Sequence, residues 1–152
     1  MVTIDLEKAK EKFKDSPEWL KNEFIAKFGL ENLTDDILEK IGSSFEAAYK
    51  LASEKTKKEY DDSVNANTPD HMKALAELIL IIDVANEDAP EKNRVWFPVF
   101  IRSSGSAFDS SHCSYATSGT ILGSRFCLES QIKSSKIGTN FNHIYKRIII
   151  KN

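Results

Sequence analysis

The chain has 152 residues, a formal net charge of −2, and 41% hydrophobic and 29% charged residues. This is the size of one domain with a hydrophobic core, and the balanced charge offers no overall attraction for nucleic acid or anionic lipid. No apolar run reaches the roughly 20 residues of a membrane span, and acidic residues lie where a signal peptide has its apolar core. We therefore expect one domain over 1–152, kept in a cytoplasm or released by lysis, with no membrane or nucleic-acid partner.

The first two-thirds of the chain predict a series of helices. A short amphipathic run follows Thr3, and a second helix is expected to use Ser16 as its N-cap, to hold Pro17 in its first turn and to end at Gly29. A third helical segment is expected over 34–42. The helical spacing of the apolar residues supports these boundaries.

A capping box of Ser43 and Glu46 predicts the start of a fourth helix. Its polar continuation over 53–67, SEKTKKEYDDSVNAN, indicates a solvated face that frays into a loop. This loop is the candidate hinge, near 61–67, between a helical arm over 1–60 and the rest of the domain.

The segment TPDHMKALAELILIIDVANE predicts the strongest helix, capped by Thr68 with Pro69 in its first turn. Apolar side chains cover nearly all of its sides over two turns, as expected of a helix that other elements surround. We therefore assign these side chains to the core. One stripe comprises Met72, Leu75, Ala76, Ile79 and Ile82, while Leu78, Leu80 and Ile81 cover the remaining sides.

After residue 90 the pattern changes to that of strands. VWFPVFI (95–101) is β-branched and aromatic, and Pro98, which has no N–H for a ladder, indicates an edge or a bulge. TILGSRFCL (120–128) predicts another strand, and a C-terminal helix is expected from Ser130. Because helices precede strands, we predict an α+β fold whose small antiparallel sheet, about 95–128, packs on the central and C-terminal helices.

The Ser-rich stretch SSGSAFDSSHCSYATSGT (103–120) carries reactive residue types without a recognised catalytic pattern. Ser111 beside His112 lacks the G-x-S-x-G elbow of many serine nucleophiles. The chain has three His and two Cys, without C-x-x-C or H-x-x-x-H spacing, so we read Cys113 and Cys127 as small core residues rather than zinc ligands. We expect no catalytic residue, no metal and no cofactor.

Two basic features of the sequence are candidates for ligand binding. Arg125, which follows Gly123 and Ser124, could bind an anion, but an arginine in a strand more often pairs with a carboxylate, so we read these three residues as a structural motif. The final YKRIIIK is too short and too apolar for a nucleic-acid patch, and phosphate-binding glycine motifs are absent.

The remaining interpretation is that 103–117 forms a surface of small hydrogen-bonding residues and rigid aromatics. This mixture is typical of protein-recognition surfaces. An equally good interpretation is that this stretch forms an ordinary polar face of an antiparallel sheet, with no binding role. The residues of the candidate partner-binding face are Ser106, Phe108, Asp109, Ser111, His112, Ser114 and Tyr115.

Five segments match one protein family in the same order along the chain. They are IDLEKAKEKFKDSPEWLKNEFIAKFG, SSFEAAYKLA, KALAELILIIDVANE, WFPVFIRSSGSAF and GSRFCLES, the last close to a GSRLCFKS-like motif. In these segments the chain resembles a family of uncharacterised proteins from phages, prophages and mobile elements of gut Bacteroidales. It departs from the family after the last motif, where QIKSSKIGTNF stands in place of an alanine-rich helix. The resemblance implies no catalytic residues, and family variation in the stretch matching 103–120 favours a diversified binding face.

We therefore predict a non-enzymatic phage or mobile-element protein, a protein-binding or virion-associated module that contacts a host or virion protein through 103–117. The alternative is a small phage-encoded enzyme, or an inhibitor of a host defence enzyme, acting in the bacterial cytoplasm. An enzyme needs a concave pocket with convergent titratable groups, for which the candidates are Asp109, His112 and Arg125.

Overall fold

The computed structural model describes residues 4–87, 93–94, 96–102, 108–115 and 124–149. The chain divides into two compact units, Met1–Lys40 and Ile41–Asn152. The expectation of a single domain with an arm hinged near 61–67 stays a prediction.

Helices make up most of the described chain. The helices of the first unit are α1 (Leu6–Phe13), α2 (Glu18–Phe28), α3 (Leu30–Leu33) and α4 (Ile37–Ile41), the last ending at the unit boundary. The helices of the second unit are α5 (Phe45–Leu51), α6 (Glu54–Ser63), α7 (Asp70–Asn86), α8 (Gln131–Asn140) and α9 (Asn142–Ile149). Its described strands are β1 (Trp96–Arg102) and β2 (Phe108–Tyr115).

The first unit packs α1, α2 and α3 around a small core. Ala9 and Phe13 of α1 meet Phe24 of α2 and Leu33 of α3 in one buried cluster. Gly29 separates α2 from α3 with a φ of 78°, a left-handed value that a side chain rarely allows. The predicted end of the second helix at Gly29 is therefore correct.

Three predicted N-caps are each displaced by one residue. The N-caps are Pro17, Ser44 and Pro69 in place of Ser16, Ser43 and Thr68. At Pro17 the ring holds φ at −64° while ψ is 155°, so the proline is the last extended residue and the helix begins after it. The hydroxyl of Ser16 instead donates to the carbonyl of Lys12 at the end of α1.

The predicted loop begins only after Ser63, because residues 54–63 form α6, and the break at Ala52 and Ser53 that separates α6 from α5 was not predicted. The Ser53 hydroxyl caps this helix by accepting a hydrogen bond from the Thr56 N–H. Ion pairs one turn apart, such as Lys58 with Asp62, add local support. No residue of α6 is buried, so this helix presents a mainly polar surface to its neighbours.

The core of the second unit is built around α7, which packs against α5, α6, α8 and α9. Most of the apolar side chains of α7 are buried, as predicted, and those of α8 and α9 complete the core. Its fully buried large apolar side chains include Leu80, Ile81, Ile82, Leu128, Ile137, Phe141 and Ile144.

The predicted α+β fold class is wrong, because the molecule is mostly helical. Among the described residues, extended structure is limited to the antiparallel pair of β1 and β2, which lies against α8. The register changes between Val99 and Phe100, next to Pro98, where the missing N–H indicated a bulge. Of the antiparallel sheet predicted over about 95–128, the described residues form only the pair of β1 and β2.

The second predicted strand, 120–128, is not a strand in its described part. Ser124–Phe126 form a turn of 3₁₀-helix, and Leu128 makes a single bridge to Trp96. The reason lies in the buried Asn86 of α7. Its amide nitrogen donates to the Cys127 carbonyl at 2.9 Å, and its oxygen accepts from the Glu129 N–H at 2.8 Å. These backbone groups are satisfied by a side chain, so no further strand is needed to pair them.

The predicted C-terminal helix begins where expected but is two helices. The Ser130 hydroxyl caps α8 by accepting from the Lys133 N–H. Phe141, with φ −111° and ψ 23°, leaves the helical conformation and separates α8 from α9. The break lets both helices turn apolar residues into the core, including Ile137 and Ile144.

Candidate functional site

A groove in the described part of the second unit lies between α6 and α7. It encloses about 740 Å³. Its floor and one wall come from α7, the other wall from α6, and one end from the connection between them. The α7 residues that line it are Met72, Leu75, Ala76, Ile79, Leu80 and Asp83. The α6 residues are Thr56, Glu59, Tyr60, Asp62 and Ser63.

The groove exists because α6 cannot cover the apolar surface of α7. The α6 sequence, EKTKKEYDDS, carries Tyr60 as its only aromatic or aliphatic side chain of any size. Leu75, Ala76 and Ile79 therefore stay partly exposed, and Met72 is 48% exposed. Part of the apolar stripe of α7 therefore stays in contact with solvent in the groove.

Tyr60 fixes the position of α6 beside the groove. Its ring lies 5.0 Å from the ring of Phe45 and 5.9 Å from that of Tyr49, centroid to centroid. Burial, followed by the nearby carboxylate of Glu77, raises the pKa of Tyr60 above its ordinary value, so its phenol stays protonated at neutral pH. Tyr60 thus offers a neutral hydrogen-bonding group on the α6 wall of the groove.

Arginines join both walls at the end of the groove near the C-terminus of α7. Arg125 lies 2.6 Å from a carboxylate oxygen of Glu59 and 3.9 Å from one of Asp83. Arg94 donates to the other oxygen of Asp83 at 2.7 Å. This network links α6, α7 and the 3₁₀ turn, and it leaves charge at this end of the groove nearly balanced.

A second ionic cluster lies on another side of α7. Arg147 of α9 donates through Nε and Nη2 to the Asp70 carboxylate and through Nη1 to the buried carboxylate of Glu77. Hydrogen bonding to Arg147 holds the pKa of Asp70 below its ordinary value. A smaller cleft of about 390 Å³ beside this cluster includes His143 and Arg147. Because both carboxylates already occupy the guanidinium, the cluster has the geometry of a structural clamp between α7 and α9.

The residues predicted for the partner-binding face fall in or beside β2. Ser106 lies outside the described residues. The other six belong to β2, in which Tyr115 pairs with Trp96, Ser114 with Phe97 and His112 with Val99. Ser111 falls at the register change, and Asp109 and Phe108 pair with Ile101 and Arg102. The role of this face stays a prediction.

The predicted structural motif can be followed only in part. Gly123 lies outside the described residues, and Ser124 begins the 3₁₀ turn. Arg125 makes the ion pairs with Glu59 and Asp83 given above. Next to it, Cys127 is buried, and burial raises the pKa of its thiol.

Sequence reasoning identified the groove-lining stripe but assigned it to the core. Met72, Leu75, Ala76 and Ile79 were correctly grouped on one face of α7, where helical spacing places them. The missed signal is the composition of α6: a helix this polar leaves part of an apolar neighbour uncovered. The pairing of Arg125 with Glu59, 66 residues earlier, has no local signal in the sequence.

The described residues lack two further kinds of feature. No three His, Cys, Asp or Glu side chains there come together in an arrangement that could hold a metal ion. None of the helices in that part of the chain is long and apolar enough to cross a membrane.

Comparison with known proteins adds no relative from which a function could be transferred. No protein-family model matches the chain, and no curated protein or solved structure matches it significantly.

Proposed function

We propose that the chain is a non-enzymatic protein-binding module and that the α6–α7 groove is a binding site for its partner. The observation that carries the proposal is the apolar stripe of α7, from Met72 to Ile79, that α6 leaves partly exposed. An apolar groove between two helices can take up the apolar side chains of a partner protein. Covering the stripe with a partner removes apolar area from water and so favours association.

The resemblance to proteins of phages and mobile elements supports a partner from the host or from the virion. A virion-associated role predicts that the chain copurifies with particles at a fixed ratio to the capsid protein. Quantitative mass spectrometry of gradient-purified particles measures this ratio. Absence from washed particles would assign the partner to the host cytoplasm instead.

Photo-crosslinking tests the groove itself. A photoreactive phenylalanine analogue is placed at Met72, which is 48% exposed in the groove, in the full chain expressed in its host. The matched control carries the analogue at Ile132, which is 70% exposed on α8 and lies outside the groove. We expect one partner to be crosslinked at Met72 and not at Ile132. Equal yields at both positions, or none at Met72, would refute the proposal.

A further inference from the structure

We infer that the outer face of α2, centred on Trp19, is a second protein-binding surface and that it takes an arginine side chain of a partner protein. This surface belongs to the first unit and shares no residue with the α6–α7 groove, so the inference goes beyond the proposed function. It rests on an exposed indole, on two carboxylates without ion-pair partners, and on the position of the neighbouring lysines.

The helix α2 buries one face and leaves an indole on the other. Phe24 is buried on its inner face, and Leu20 and Phe28 pack there against the core cluster of the first unit. Helical geometry places Trp19 on the outward side, where it is 67% exposed. No other tryptophan, tyrosine or phenylalanine whose side chain the structure describes is exposed. Tryptophan is also the residue type most enriched among side chains that dominate binding energy at protein interfaces.

The surface around Trp19 is open and acidic. Glu23 at i+4 and Asn22 at i+3 are its neighbours on the helix, and Glu18 extends the same face. These side chains are exposed, as is the small Ala26 at i+7, so no bulky side chain of α2 covers the indole on this side. Neither glutamate forms a hydrogen bond or an ion pair with any residue in the described part of the chain.

The lysines of α2 are engaged on its other side. Lys27 donates to the carbonyl of Ile4 at 3.2 Å, and its ammonium lies 4.9 Å from the centre of the Phe28 ring. The ammonium of Lys21 lies 6.0 Å from the ring centre of Phe13. Both lysines therefore lie over aromatic side chains of the inner face, which leaves the two carboxylates of the outer face without a cation on their own helix.

This combination of groups fits arginine. A planar guanidinium stacks on the face of an indole and keeps its N–H donors free to bond carboxylates in the same plane. An apolar side chain on the indole would leave both carboxylates unpaired. In the connection before α2, Lys14 and Asp15 have opposite charges, so the two glutamates decide the charge of the surface.

The same charges argue against other occupants. The phosphates of a nucleic acid or of an anionic lipid would be repelled by Glu18 and Glu23. A symmetric pair of chains meeting at Trp19 would bring the glutamates of one copy close to those of the other. Like charges at close range oppose such an association.

Three synthetic peptides test the inference on the full chain. The first is a capped Gly/Ala peptide of about ten residues with arginine at its centre. The second carries citrulline, which has the shape of arginine without its charge, and the third carries lysine. Fluorescence anisotropy of the labelled peptides measures affinity. We expect saturable binding of the arginine peptide, about tenfold tighter than the citrulline peptide and about threefold tighter than the lysine peptide.

Tryptophan emission shows where the peptide binds. The chain has two tryptophans, so Trp96→Phe leaves Trp19 as the only one. Stacking of a guanidinium on the indole should change this emission along the same saturation curve as the anisotropy. Saturable binding with unchanged Trp19 emission would place the peptide elsewhere and overturn the inference.

Variants of the outer face complete the test. Trp19→Ala should weaken binding of the arginine peptide about tenfold, and Glu23→Gln about threefold. The matched control is Glu7→Gln, an exposed glutamate in the first turn of α1, which should leave the affinity within about twofold. Melting curves confirm that each variant is folded.

Several results would overturn the inference: equal binding of the three peptides, no saturation, no effect of Trp19→Ala, or an equal loss with Glu7→Gln and Glu23→Gln. The outcome is separable from that of the proposed function, because crosslinking at Met72 reports on the groove of the second unit. Capture of a partner at Met72 without binding of the arginine peptide would leave the groove as a protein-binding site and reject the surface on α2.

Discussion

Two faces of α7 are similarly apolar in composition, but one is buried and the other is partly exposed. On one face Leu78, Ile81 and Ala85 are almost completely buried. On the other, Met72, Leu75 and Ile79 line a groove and stay partly exposed. The difference lies in the neighbouring helices. The amphipathic α9 has its own residues Ile144 and Tyr145 in the core, whereas no residue of α6 is buried.

This comparison teaches that an apolar stripe predicts a buried face only when an apolar partner is available to cover it. Both faces carry a carboxylate held by arginine: Glu77 by Arg147, and Asp83 by Arg94 and Arg125. The ion pair of Glu77 with Arg147 joins α7 to the core helix α9, whereas the ion pairs of Asp83 lie across the end of the groove. Substitutions on the two faces should therefore differ in cost.

The largest expected difference is between Ile81→Ala and Ile79→Ala. Ile81 is completely buried, so its truncation leaves a cavity and should lower the free energy of unfolding by about 3 kcal/mol. Ile79 is already partly hydrated, and the same truncation should cost about 1 kcal/mol. Urea unfolding gives both values, provided that the slope with denaturant is unchanged.

Ile132→Ala is the matched control for a well-exposed isoleucine, and we expect a change within about 0.5 kcal/mol. Equal costs at Ile79 and Ile81 would mean that the groove face is packed as tightly as the core face. In that case the groove has no exposed floor to offer a partner.

A smaller effect is expected at the clamp between α7 and α9, and it should depend on pH. Hydrogen bonding to Arg147 lowers the pKa of Asp70 in the folded chain. The ionised carboxylate therefore stabilises the fold above the unfolded-state pKa of about 3.9, and this contribution is lost as pH falls through the folded-state value. Asp70→Asn should lower stability at pH 7, and the difference from the unsubstituted chain should shrink toward zero as the solution becomes acidic.

A double-mutant cycle isolates this contribution. In an Arg147→Gln background, Asp70→Asn should have little effect at any pH, because the interaction partner is already gone. A persistent pH-dependent loss in that background would assign the effect to another neighbour of Asp70. Urea unfolding from pH 7 to acid measures all four chains.

The sequence predicted local structure well wherever local signals dominate. Helical spacing of apolar residues predicted α7, and β-branched and aromatic residues predicted β1. Gly29 predicted the end of α2. The sequence missed the break between α5 and α6, where Ala52 and Ser53 are extended and the Ser53 hydroxyl caps a new helix that ion pairs one turn apart support. It also failed at 120–128, because Asn86 forms hydrogen bonds with the backbone of Cys127 and Glu129, which follow it by 41 and 43 positions in the sequence.

The candidate site was only half predictable for the same reason. Periodicity places Met72 and Ile79 on one face of α7, but no local pattern reports whether another element covers that face. The polar composition of α6 could have supplied this information, because a helix with so few apolar side chains cannot cover an apolar face. Binding through 103–117 stays a separate prediction.

The smallest effect should come from Arg125→Gln at the end of the groove. Arg125 and Glu59 are 50% and 43% exposed, and exposed ion pairs contribute at most about 1 kcal/mol. Asp83 keeps its 2.7 Å bond to Arg94, so the substitution leaves no buried carboxylate without a partner. We expect a loss of less than about 1 kcal/mol in urea unfolding, which should decrease further at high salt because the pair is open to solvent. A loss well above 2 kcal/mol that persists in salt would show that the 3₁₀ turn and the nearby wall of α6 depend on this arginine. The groove would then be held open by a structural element rather than by the polarity of α6.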